Sequence, residues 1–224
     1  VRNDIHILDL EKTKKSLLKA MSFASDVAAN GGVILFVGTK RQSRAIVKKY
    51  AQECGMPFVS VRWLGGTFTN FKTIQKTIRK MEKIDELKTS GELETRYTKK
   101  ERLLVEREAT KLGRLFEGLK DMKKLPAAIF IADVNYDDIA LTEAKKSKVP
   151  IIGIVDSNSN PEGIDYVIPA NDDATQAIDL IIGAVAEAIG SGRSNAVVTS
   201  PAPVVAAATA TAAPAAEPAA TPAA

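Results

Sequence analysis

The sequence predicts an α/β protein built on a parallel sheet and interrupted by one helical insertion. Val33-Ile34-Leu35-Phe36-Val37, Ala127-Ala128-Ile129-Phe130-Ile131-Ala132 and Ile151-Ile152-Gly153-Ile154-Val155 are apolar runs rich in β-branched residues. Such runs mark strands covered on both faces, as parallel sheets require. Segments of helical period separate them, giving the alternation of a layered α/β fold. The third observation is a change of rhythm: between residues 71 and 122 apolar side chains return every three or four positions, with no strand signal between. The expected organisation is a core made of residues 1–70 and 123–193, an inserted antiparallel helical hairpin over 71–122, and a disordered Ala/Pro-rich tail over 194–224.

Ile5 to Leu8 reads as a short strand or extended entry. Asp9 then reads as the N-cap of a helix reaching Asn30, with Leu10, Leu17, Met21, Ala24 and Ala28 as its apolar stripe. Gly31-Gly32 stops that helix before the first strand. Gly38-Thr39-Lys40 turns into a second helix ending near Glu53, with Ala45, Ile46, Val47 and Tyr50 available for packing. Lys40, Arg41, Arg44, Lys48 and Lys49 are left for solvent, and Phe58-Val59-Ser60-Val61 supplies the next strand.

In the insertion, Phe71, Ile74, Ile78, Met81, Ile84 and Leu87 form one stripe, and Val105, Ala109, Leu112, Phe116 and Leu119 another. Two narrow stripes at this spacing predict helices zipped along a seam, with the chain reversing near Gly91. Beyond Lys123-Lys124 the rhythm resumes with the strand Ala127–Ala132, a helix from about Tyr136 to Ser147, the strand Ile151–Val155 and a short strand Tyr166–Ile168. Asn171-Asp172-Asp173 opens the last helix, with carboxylates where the helix dipole favours them. Ala174, Ala177, Ile178, Ile181, Ile182, Val185, Ala188 and Ile189 are its expected buried face, and Gly190-Ser191-Gly192 its expected end. From about Asn195 onward the chain is almost wholly Ala, Pro, Thr and Val, too poor in large side chains to offset the entropy of ordering.

At 224 residues and 45% hydrophobic content the chain can bury one sizeable core. The absence of a long apolar run or a signal-type apolar block predicts a soluble intracellular protein. One cysteine, Cys54, excludes an internal disulfide and a cysteine cage for zinc, and one histidine, His6, excludes a multi-histidine metal site. The net charge of +4 hides a polarity: +5 over residues 1–61, +7 over 62–124 and −8 over 125–224. A chain so divided condenses on a polyanion with one part and is repelled along the other, which makes nucleic acid the leading partner. A membrane surface ranks well below, because the basic helices are laced with glutamate and lack a strongly amphipathic aromatic face.

The densest surface chemistry lies at Arg62-Trp63-Leu64-Gly65-Gly66-Thr67-Phe68-Thr69-Asn70-Phe71, where the core meets the insertion. Paired glycines permit backbone conformations closed to other residues and allow close approach by another chain. Arg62, Thr67, Thr69, Asn70 and Lys72 are placed to meet phosphate and sugar oxygens, with Lys76 and Arg79 one and two turns further on. Lys40, Arg41 and Arg44 are secondary contacts. The competing reading is a turn whose Trp63, Leu64 and Phe68 simply plug the core.

Catalytic signatures are weak. Gly38-Thr39-Lys40 follows a strand and opens a helix, where α/β proteins hold phosphate, but neither a dinucleotide-binding nor a P-loop glycine pattern is present. Asp133 and Asp156 end adjacent strands, the arrangement by which paired carboxylates hold Mg²⁺ or act as acid and base. This gives the rival reading of a Mg-dependent nucleotide-binding or phosphotransfer enzyme. In the settings Asp133-Val134-Asn135 and Asp156-Ser157-Asn158, turn-shaping and capping are the more ordinary roles.

Several strings together carry a resemblance: Ile5-His6-Ile7-Leu8-Asp9-Leu10, Ile34-Leu35-Phe36-Val37-Gly38-Thr39-Lys40, Cys54-Gly55-Met56-Pro57, the Arg62–Phe71 junction, Lys120-Asp121-Met122-Lys123-Lys124-Leu125-Pro126 and Ile164-Asp165-Tyr166. They resemble the bacterial and organellar form of small-subunit ribosomal protein number two, collinearly from about residue 2 to 193. The resemblance implies a three-layer, flavodoxin-like (Rossmann-like) core with a coiled-coil hairpin. It implies binding to small-subunit ribosomal RNA on the back of the subunit near its head. It also implies contact with the large messenger-recruiting protein number one, a place on the cytoplasmic or organellar ribosome, no cofactor and no catalysis. Family members usually carry some 30 or more further residues before the arginine corresponding to Arg2, including a glycine- and histidine-rich segment that has no counterpart in this sequence.

Overall fold

A computed structural model describes residues 7–90 and 97–199, with side chains described as far as Ser194. Five parallel strands, β1 (Ile34–Val37), β2 (Phe58–Val59), β3 (Ala128–Ile131), β4 (Ile151–Val155) and β5 (Tyr166–Pro169), lie in the order β2-β1-β3-β4-β5. This is the doubly wound, flavodoxin-like order, with its reversal of strand sequence between β1 and β3. Among the described residues six α-helices accompany the sheet: α1 (Leu10–Ala29), α2 (Arg44–Glu53), α3 (Phe71–Thr89), α4 (Lys99–Phe116), α5 (Asp138–Lys146) and α6 (Thr175–Thr199).

Alternation along the strands builds the layers. Ile34, Phe36, Ala128, Phe130, Ile152 and Ile154 face one side and meet Ala20, Ala24 and Ala28 of α1, Val47 and Ala51 of α2, and Ile178, Ile182 and Val185 of α6. Leu35, Val37, Ile129, Ile131, Ile151 and Val155 face the other and meet α3, the end of α4 and α5. The predicted apolar runs are therefore covered on both sides.

Where elements differ from expectation, the packing explains it. Phe58–Val61 shortens to Phe58–Val59, because β2 is an edge strand paired only with β1, and β1 ends at Val37. Asp9 caps α1 as expected, its Oδ1 accepting from the N–H of Glu11 at 3.0 Å. Leu10 does not join the stripe and is 76% exposed. Thr13 Oγ1 already reaches the carbonyl of Pro169 at the end of β5, so Leu10, most of a turn earlier, lies past the sheet. In α2 the buried residues are Val47 and Ala51, while Ala45 is exposed.

The last helix does not stop at Gly190-Ser191-Gly192 but continues to Thr199. Gly192 is a contact residue: a Cβ there would stand 2.3 Å from the carbonyl oxygen of Ser25, so its lack of a side chain lets α6 lie against α1. Arg193, next to it, donates to the carbonyl of Cys54 and ties α6 to the turn after α2. Residues 194–199 are therefore part of α6, and residues 200–224 lie outside the described residues.

Between β2 and β3 the described residues hold two long helices, α3 and α4, linked by an ion pair of Lys80 with Glu108. Their stripes serve the sheet as well as each other. Ile74, Ile78 and Met81 of α3, with Phe116 at the end of α4 and Leu119 in the 3-10 turn Glu117–Leu119 that follows it, are buried in the core beneath the sheet. Ile84 and Ala109 are buried outside either core cluster. The reversal near Gly91 and the entry at Ile5-His6 fall outside the described residues.

Candidate nucleic-acid interface

The junction between β2 and α3 is folded around a carboxylate from a distant helix. Trp63 and Phe68 turn inward, both at most 5% exposed, and meet edge to face with ring centroids 5.1 Å apart. This draws the backbone of residues 66–69 down onto α5, where Glu143 is buried at 7% exposure. Its Oε1 accepts from the N–H of Gly66 at 2.6 Å and the indole N–H of Trp63 at 3.4 Å. Its Oε2 accepts from the N–H of Phe68 at 2.9 Å and from the N–H and hydroxyl of Thr69 at 3.3 and 3.4 Å. Burial would raise the pKa of this carboxyl, but the hydrogen bonds from Gly66, Phe68, Thr69 and Trp63 outweigh it and hold the pKa below the ordinary value.

Gly66 has φ +92°, open to glycine and strained for other residues, which accounts for one glycine of the pair. Gly65 is exposed with open space where a side chain would be. The hydroxyl of Thr67 donates to the carbonyl of Leu64 at 2.6 Å, and Thr67 is 1% exposed.

These contacts divide the sequence-predicted binding residues into two groups. Thr67 is a buried turn residue, and the polar hydrogens of Thr69 point at Glu143; neither offers the free donors expected of it. Arg62, Asn70, Lys72, Lys76 and Arg79 are exposed. Asn70 Oδ1 accepts from the hydroxyl of Thr73. Lys72, Lys76 and Arg79 follow at four and three residues along one face of α3. Among the described residues none of these three cations, nor Arg62, has an ion-pair partner.

The secondary group separates in the same way. Arg41 is exposed, and Arg44 donates from Nε to the carbonyl of Thr39 at 2.6 Å and from Nη2 to that of Val61 at 3.4 Å, which places it beside the junction. Lys40 is not a surface cation. It enters the crevice at the carboxyl ends of β1 and β3, where its Nζ meets Asp133 and Asp172 at 2.8 Å and Asp173 at 2.6 Å. Burial would lower its pKa, but hydrogen bonds to these three carboxylates prevail and raise it. Beside it, burial pushes the Asp137 carboxyl up against the opposing hydrogen bonds from the hydroxyl and N–H of Thr39.

This crevice is where doubly wound folds hold phosphate, and here side chains of the chain itself occupy it. Asp133 Oδ1 accepts from the N–H groups of Asn135 and Tyr136, and its Oδ2 from Lys40. Asp156 accepts from the N–H groups of Ser157 and Asp172. Both aspartates therefore act as turn caps, and Asp133 also as a counter-ion of Lys40. Among the described residues no group of three or more His, Cys, Asp or Glu side chains is arranged to hold a metal ion.

Sequence reasoning missed Glu143, which looks like any glutamate on a helix with lysines nearby. Its only local signal is the apolar neighbourhood of Ala140, Leu141 and Ala144, which puts position 143 near the buried side of α5. The family model described as ribosomal protein S2 matches residues 1–192, spanning the whole sheet, the junction and both inserted helices. With that match over the folded chain and a parallel sheet whose phosphate crevice is filled from within, the chain belongs to the ribosomal protein S2 family, proteins of the small ribosomal subunit.

Proposed function

We propose that this protein is a structural constituent of the small subunit that binds ribosomal RNA through the junction and the exposed face of α3, without catalysing a reaction. The observation that carries the reading is the row of exposed cations, Arg62, Lys72, Lys76 and Arg79, without ion-pair partners among the described residues and beginning at a turn whose shape Glu143 holds. Folded RNA presents phosphates and 2′-hydroxyls more readily than base edges, so such a row recognises shape. Arg41 and Arg44 extend the basic surface, while Thr67, Thr69 and Lys40 position the backbone that carries it. Residues 71–122 act as an inserted arm on a core of 1–70 and 123–193. The acidic residues after 125 keep the far side of the molecule off RNA and toward protein neighbours, among which the resemblance implies protein number one. The place of action is the ribosome of the cytoplasm or of an organelle.

Sedimentation of lysate from cells expressing the tagged chain tests this reading. The chain should travel with small subunits at low salt and leave them as salt rises. A chain that stays at the top of the gradient at every salt concentration would contradict it.

A further inference from the structure

A second basic surface lies on α4, which nothing in the junction explains. Leu103, Glu106, Arg107, Thr110, Lys111, Arg114 and Leu115 recur at alternating intervals of three and one, so they share one helix face. That face spans about 18 Å at the usual rise per residue. With Val61 from the end of the β2 segment it lines a groove of about 520 Å³, within the roughly 300–1,000 Å³ of clefts that take small ligands. The groove joins the junction, since Arg44 Nη2 bonds the carbonyl of Val61. Its floor is aliphatic, with Leu103 48% and Val61 39% exposed. Its rim carries Arg107, Lys111 and Arg114, all exposed, and none of them in an ion pair among the described residues. Glu106 is the one anion lining it, because Glu108 faces the other way and is engaged by Lys80.

We infer that this groove is an RNA-binding site distinct from the α3 row, taking an unpaired nucleotide whose base and ribose rest on Leu103, Val61 and Leu115 while its flanking phosphates meet Arg107, Lys111 and Arg114. The inference rests on the reading that the chain binds ribosomal RNA. Charge decides the occupant: three exposed cations against one carboxylate fit a polyanion and oppose a basic peptide. An aliphatic floor between cations suits an unstacked nucleotide better than a continuous duplex, which offers only backbone and a shallow groove.

The test is filter binding of the full chain to a small-subunit ribosomal RNA transcript across a salt series. It compares wild type, Arg107→Ala/Lys111→Ala/Arg114→Ala, the charge-keeping Arg107→Lys/Arg114→Lys and Leu103→Asp. All four positions are exposed, and a shared urea midpoint verifies that the fold is kept. The triple variant should lower the salt slope by about three, one for each lost phosphate contact. The charge-keeping variant should keep the slope, and Leu103→Asp should weaken binding. Ultraviolet crosslinks should map within residues 103–115. A triple variant with wild-type affinity and slope overturns the groove assignment while leaving the broader reading intact. Unchanged RNA binding combined with loss from assembled subunits would assign the groove to an acidic protein segment and also overturn it. If wild type itself fails to bind the transcript at low salt, the reading and the inference fall together.

Discussion

Glu143 does at the junction what a bound anion does elsewhere: one buried carboxylate gathers backbone donors from Gly66, Phe68 and Thr69 and the indole of Trp63. A buried donor left without a partner costs about 1–3 kcal/mol. Glu143→Ala should therefore lower the stability of the folded chain by about 3 kcal/mol or more, read as a fall in urea midpoint. Glu143→Gln, which keeps one acceptor, should cost less. The sign with pH follows from the depressed folded pKa. The stabilisation is complete above the unfolded value near 4.5 and is lost as pH falls through the folded value. The midpoint gap between wild type and Glu143→Gln should narrow on acidification below that range, and a constant gap would count against an ionised clamp. Lys40 separates structure from binding. Its replacement by Ala leaves Asp133 and Asp172 buried without their cation, a loss of roughly 3–5 kcal/mol, yet the salt slope of RNA binding should not change. Neither residue was legible as a structural charge, because their partners lie far away in the chain and only the tertiary fold brings them together.

At the scale of elements, periodicity located every strand and helix of the sheet layers, because burial on both faces leaves a plain apolar run and burial on one leaves a stripe. What it misjudged were ends. Gly190-Ser191-Gly192 has the composition of a helix stop, but helix contact uses the same residue for a different reason, and local sequence does not distinguish the two. Gly192→Ala should push α6 from α1 at the Ser25 carbonyl, 2.3 Å from the added carbon, and destabilise the fold by about 1–3 kcal/mol. A thermal or urea midpoint equal to wild type would show that the helices part without cost. The inserted helices are a similar case. Their stripes were legible, but Ile74, Ile78 and Phe116 prove to be roots in the sheet core as well as contacts between helices.

For the whole molecule, the division of charge along the chain becomes a division in space along the carboxyl edge of the sheet. Arg41, Arg44 and Arg62 follow β1 and β2; Asp133, Asp156, Asp172 and Asp173 follow β3, β4 and β5. Lys40 crosses between the halves and fills the crevice where a nucleotide phosphate would sit, so the fold keeps the architecture of a phosphate binder while its free cations lie outside that crevice. The basic half was legible from composition alone. Which cations are free was not, because Lys40 and Lys72 look alike until their partners are placed. The most direct measurement is the salt dependence of binding between the full chain and small-subunit ribosomal RNA, for wild type and for Arg62→Ala/Lys72→Ala. Two lost phosphate contacts should flatten the slope of log affinity against log salt by about two. A double variant with the wild-type slope would contradict the claim that the junction faces the RNA backbone.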